Sequence, residues 1–222
     1  HAGKREFGSD AAIDEAGKAG GFDGADAFDD VDGLDEFNEF DRLGAPDPAT
    51  NALCARLHAA GFGTLFIALL EEGHRHEPRA PRADESLPLP LLTERLLAVV
   101  ARLRRELAPP PLPPLPFGLV ADDGMTPVAV RVAAQRDHDV RALVCQGGLI
   151  DLAGLQYLRL LNTPLLFLAT ADDERAIANL RQAQPAIGCV CQLRTLAAAG
   201  EDSDDEERIA GIVDWFDQHL VR

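Results

Sequence analysis

Two aspartate pairs and one cysteine stand where reactive chemistry would concentrate. Asp122-Asp123 closes the apolar run 117–121, Asp172-Asp173 follows the apolar run 164–170, and Cys145 ends 140–145 just before Gln146-Gly147-Gly148. Glu201 follows the last expected strand, 189–196. Carboxylates gathered at one edge repel one another unless a cation, hydrogen bonds or protonation offsets their charge. Three uses fit such a set. Asp123 could serve as a nucleophile, the group could form a hard-oxygen site for Mg²⁺ or Ca²⁺, or Asp123 and Asp173 could cap the helices they precede, since a helix N-terminus favours negative charge. Cys145 needs a neighbouring base to become a thiolate nucleophile; without one it reads as a buried structural thiol. Cys189 and Cys191, two apart on a strand, share a face and suit packing. His74 and His76 lie in a polar loop without a third metal ligand in view.

The elements that must hold these residues follow a regular alternation. The stretch around the first aspartate pair reads as a buried strand, a sharp turn over 122–125, and a helix opening on Thr126 and Pro127. Threonine can cap a first turn and proline fits the first helical position. Upstream, Asp47-Pro48 starts a helix with Leu53 and Leu57 inward, ending at Gly61. Gly63 to Leu70 is a continuous apolar run, expected as a strand covered on both faces. Residues 71–90 form a surface excursion, and 91–107 a long helix with Leu92, Leu96, Val99, Val100 and Leu103 inward. The proline-rich run 108–116 is an extended spacer. Strands at 140–145, 164–170 and 189–196 alternate with helical segments at 128–136, 152–161, 174–184 and 204–221. Alternating apolar strands and helices specify a mostly parallel sheet covered on both faces, an α/β domain over 47–222. In such a sheet the carboxyl edge is where ligands bind, and the aspartates sit there.

Residues 1–46 differ in composition. Over 1–50 there are fourteen Asp or Glu against four Lys or Arg, with Phe28, Val31, Leu34, Phe37, Phe40 and Leu43 recurring every third position. This reads as an acidic arm, docked by its apolar side chains or used to recruit a protein partner. The net charge of −16 over 222 residues argues against nucleic acid as a partner, because phosphate binding needs a basic surface. No apolar run is long enough to span a bilayer and the first residues carry no signal-peptide core. A cytoplasmic location is expected, with four reduced cysteines rather than a disulfide framework.

From about residue 50 onward, several strings in order resemble the dienelactone-hydrolase-like branch of the α/β-hydrolase superfamily. They are 57–65 (Leu-His-Ala-Ala-Gly-Phe-Gly-Thr-Leu), 140–148 with 151–154, 164–174, and 214–220 (Asp-Trp-Phe-Asp-Gln-His-Leu). The resemblance implies a serine or cysteine nucleophile on a G-x-S-x-G elbow, a histidine base and an orienting acid. The elbow positions here read Ala121-Asp122-Asp123-Gly124-Met125, which puts Asp123 at the nucleophile position and Asp173 at the acid position. The histidine position falls in 197–203, where Glu201 is the nearest match, and the early His-Gly segment of the oxyanion hole has no counterpart in 30–46. The first strands of the fold are therefore degenerate or missing. An aspartate nucleophile still needs a histidine-activated water to release its ester. The expected function is a catalytically impaired pseudo-hydrolase acting as a binding or assembly subunit, with Asp122, Asp172, Cys145 and Glu201 as binding candidates and no cofactor. An active ester or lactone hydrolase with a non-standard nucleophile, binding a small ester-like ligand, and a carboxylate-rich divalent metal site are the alternatives.

Overall fold

The structure is a computed structural model that describes residues 47–69, 88–107, 115–197 and 202–220. The acidic arm, His74, His76, the greater part of the proline-rich run and Glu201 lie outside the described residues. The elements in order are α1 (Pro48–Ala59), α2 (Leu89–Leu107), β1 (Phe117–Asp122), α3 (Thr126–Gln135), β2 (Val140–Gln146), α4 (Leu155–Leu160), β3 (Leu165–Thr170), α5 (Glu174–Ala183), β4 (Cys191–Leu196) and α6 (Asp202–Leu220). The strands form one sheet in the order β1-β2-β3-β4, with every neighbouring pair parallel. Parallel neighbours need a crossover, and α3, α4 and α5 supply the three.

Alternation along the strands divides the core between two layers. Leu143, Cys145, Leu165 and Phe167 face α2, α3 and α5, joined there by Leu92, Leu96, Val128 and Leu180. Ala142, Val144, Leu166 and Leu168 face the other way, against Leu53 and Leu57 of α1 and Ile209, Ile212, Trp215 and Phe216 of α6. A sheet apolar on both faces buries both, and this is why β2 and β3 read as continuous apolar runs. Gly118 is where β1 lies closest to α6: a Cβ there would collide with the Phe216 ring and crowd Leu220.

Asp139 is a buried acid at 4% exposure, placed in the turn before β2. Its carboxylate pairs with Arg104 of α2, and Arg136 stands 4.0 Å away. The pair ties the end of α2 to the start of the sheet, where the Asp139 carbonyl also accepts from Phe117 N–H at 2.9 Å.

One expected strand is not formed. Residues 62–69 are irregular, with Leu65 at 54% and Phe66 at 38% exposure. The apolar composition was that of a strand, but a strand also needs a ladder partner, and among the described residues none pairs with the outer side of β1. β4 begins at Cys191, so Cys189 lies before the strand.

Candidate functional site

β1 delivers its last residue, Asp122, to the carboxyl edge, and the chain then turns through a 3-10 turn, Asp123–Met125, into α3. Asp123 has φ of 34°, the one positive φ at a non-glycine among the described residues. That left-handed backbone costs a non-glycine residue about 1–3 kcal/mol, tolerated where the surroundings over-determine it. The surroundings are visible. Gly147 and Gly148, with φ of 74° and 82°, follow β2, and a Cβ on Gly148 would collide with the Asp123 carbonyl. Thr126 is fully buried and donates its hydroxyl to the Gly147 carbonyl at 2.9 Å. The strand–turn–helix expected from the sequence is therefore a strained elbow packed on a glycine pair.

The expected helix cap is not made at Thr126, whose side chain serves the glycine loop instead. Asp123 does not cap either, since no side-chain cap bond closes the 3-10 turn or α3. Asp173 does: its Oδ1 accepts from Ala176 N–H at 3.0 Å. Its Oδ2 faces the Gly147 loop, 3.6 Å from where a Cβ on Gly147 would stand. Asp123, the glycine pair and Asp173 thus form one contiguous surface at the carboxyl edge.

Asp122 belongs to a network that the sequence did not reveal. Its Oδ1 accepts from Gln146 Nε2 at 2.5 Å, the two being register partners at the ends of β1 and β2. Gln146 Oε1 accepts in turn from Arg208 Nη1 at 2.7 Å, and Arg208 also donates to Asp205 Oδ1 at 2.9 and 3.2 Å. Arg208 is 17% exposed. Burial of its carboxyl raises the Asp122 pKa above the usual carboxylate range, against the pull of the Arg208 charge and the Gln146 bond. The signal available beforehand was slight: Arg208 is a lone base after Asp204-Asp205-Glu206-Glu207. Its partner lies 62 residues away, beyond the reach of periodicity.

Cys145 is sealed. It is 0% exposed in the α2/α3 core layer, and desolvation pushes its thiol up to about 12, against the Thr126 hydroxyl bond. Asp172 is exposed beside Asp173.

The described histidines lie elsewhere. His58 on α1 bonds Thr64 Oγ1 at 2.7 Å, and His138 sits 3.2 Å from Asp137, 90% exposed, in the turn before β2. His219 packs on Trp215, ring centroids 4.2 Å apart. The next residue, Leu220, lies over Gly118 near the start of β1, about 13 Å along a strand from its carboxyl end at 3.3 Å per residue. Among the described residues no group of three His, Cys, Asp or Glu is placed to hold a metal ion. The Asp122 and Asp173 carboxylates are turned to separate partners.

No protein-family model matches this sequence. Over 168 residues the chain is 33% identical to two proteins of Mycobacterium tuberculosis, of strains CDC 1551 and H37Rv, each named "Putative phosphoribosyl transferase". The match takes in 74% of this chain and 36% of each relative, so the chain spans little more than a third of the length of the curated relatives it matches. Among solved structures, the dienelactone hydrolase of Anabaena variabilis superposes with a TM-score of 0.65 at 25% identity, over 78% of this chain and 80% of that one.

Proposed function

From its α/β-hydrolase-like fold and its likeness to a dienelactone hydrolase, we propose that the chain is a catalytically impaired relative of that family that works as a binding or assembly subunit. One observation carries this reading. The elbow keeps its strained left-handed backbone at 123 and its seat on Gly148, yet the side chain there is a carboxylate, and His58 and His138 are engaged with Thr64 and Asp137 instead. A carboxylate that attacks an ester carbonyl expels the alcohol and is left as a mixed anhydride, and a base must then activate water to release it. The nearby thiol offers no substitute, because a buried Cys145 that ionises near 12 holds its proton at neutral pH. Around the elbow, Gln146 and Arg208 bind Asp122 into a closed polar network, an arrangement suited to holding a shape. An active hydrolase with a non-standard nucleophile remains the alternative for the same residues. The separate orientations of Asp122 and Asp173 speak against a divalent metal site there.

A second reading concerns partners. The relatives named for phosphoribosyl transfer are almost three times the length of the matched stretch, and the matched stretch has a hydrolase fold. A unit that transfers phosphoribosyl groups is accordingly the partner class this domain would accompany. The test of the primary reading is a turnover screen with p-nitrophenyl acetate, p-nitrophenyl butyrate and simple lactones. No hydrolysis above that of heat-unfolded protein is expected. Turnover that disappears in Asp123→Asn would instead make the protein an active hydrolase.

A further inference from the structure

α5 buries one face, Ala176, Leu180 and Ala183, and turns another outward. Arg175, Ala178, Asn179 and Gln182 recur at the three- and four-residue spacing of a single helix stripe. That stripe is one wall of a groove of about 460 Å³. The other wall is the 3-10 turn Ile150–Ala153 with Leu149 before it, so the groove begins directly after the glycine pair that seats the elbow. This second wall is held in place. Arg131 donates from Nε to the Ala153 carbonyl at 2.8 Å and from Nη2 to the Leu152 carbonyl at 3.2 Å, and its guanidinium lies 5.3 Å from the centre of the Tyr157 ring. The Asp151 N–H donates across to Asn179 Oδ1 at 3.3 Å and ties the two walls together.

The walls differ in chemistry. α5 presents donors. Among the described residues no carboxylate pairs with the Arg175 guanidinium, and the Asn179 amide, its oxygen engaged by Asp151, has its Nδ2 group left to donate. The turn presents the Asp151 carboxylate as an acceptor beside the apolar side chains of Leu149 and Leu152, the latter 53% exposed. Arg175 and Asn179 stand about 6 Å apart along the helix axis at 1.5 Å per residue. In an extended chain the carbonyls on one edge recur every second residue, about 6.6 Å apart. The two repeats match, and the donor that would meet the last carbonyl position carries a full charge. At the end of a chain that position is a carboxylate, the group a guanidinium binds best. We infer that the groove holds the extended C-terminal peptide of a partner protein. Its terminal carboxylate lies on Arg175, the carbonyl two residues earlier on Asn179, a backbone N–H on Asp151 and an apolar side chain on Leu149 and Leu152.

Peptide capture here rests on the binding-subunit reading, and it is measured without any ester. Turnover in the ester screen would end that reading, whereas failure of peptide binding ends only the groove's assignment. The full chain is titrated, by fluorescence anisotropy, into a set of fluorescein-labelled tetrapeptides that have free carboxyl ends and vary in their last three residues. Peptides with an apolar side chain among those three are expected to bind. Amidating the carboxyl end should weaken binding about tenfold, the worth of one charge-assisted hydrogen bond. Arg175→Ala should weaken the free-acid peptide to the same extent and leave the amidated one unchanged. Ala178→Trp, which fills the groove, should abolish binding. Both substitutions fall at exposed positions, so thermal unfolding should not move. No binding by any peptide of the set, equal binding of acid and amide, or binding that survives Ala178→Trp overturns the assignment, as does an Arg175→Ala loss that is the same for acid and amide.

Discussion

Asp123 is strained in its backbone whatever its side chain does, and that makes the elbow testable one residue at a time. Glycine adopts φ of 34° freely. Asp123→Gly should leave the fold intact and raise stability by up to about 1 kcal/mol, relief of left-handed strain outweighing glycine's larger unfolded-state entropy. Gly148→Ala should do the reverse. Its Cβ meets the Asp123 carbonyl at a φ of 82°, and a loss of about 2–4 kcal/mol in urea unfolding is expected from the overlap and strain together. The buried thiol gives a pH signature. Cys145 ionises near 12 when folded and at the ordinary thiol value of 9.0 when exposed. Above about pH 9 the unfolded chain therefore releases this proton first, and stability falls by about 1.4 kcal/mol per pH unit. Cys189, held up to about 11 by burial, adds to the fall. Unfolding free energies at pH 8, 9 and 10 should show the decline, and Cys145→Ala should make it shallower.

The elements show what could be read from the sequence and what could not. β1, its turn and α3 were legible because each signal is local: an apolar run of strand length, two aspartates, then Thr126-Pro127. β2 and β3 were legible from their apolar runs, and the burial of Cys145 from its place at the end of one of them. Residues 63–69 were not, because composition reports what a strand would bury but not whether a neighbour exists to pair with it. Thr126 looked like a cap, and only the glycine loop from β2 shows why its hydroxyl goes elsewhere. Arg208 was hidden within an amphipathic helix whose apolar face dominated the reading. The long-range tie between α2 and the sheet was equally hidden. Asp139→Asn leaves a buried amide facing Arg104 without charge attraction. With Arg104 half in solvent, the expected cost is about 2 kcal/mol, less than for a fully buried pair. Thermal unfolding of Asp139→Asn, and of Arg104→Met for comparison, measures it.

At the scale of the molecule, the described α/β domain has a parallel sheet covered on both faces and a strained strand–turn–helix elbow, and the proposed reading is that this shape is kept without the chemistry. That proposal rests on the expectation that nucleophile, oxyanion element and base all depart from the pattern the resemblance implies. The acidic balance, −16 over the chain, suits a partner that is not a polyanion. No described helix is long and apolar enough to cross a membrane. The most direct measurement is the intact mass of the protein after exposure to excess p-nitrophenyl acetate, taken with the release of p-nitrophenolate. No burst of p-nitrophenolate and no acetyl adduct within 115–125 are expected. A stoichiometric burst, with an adduct on Asp123 that then turns over, would contradict the account and make the elbow a working active site.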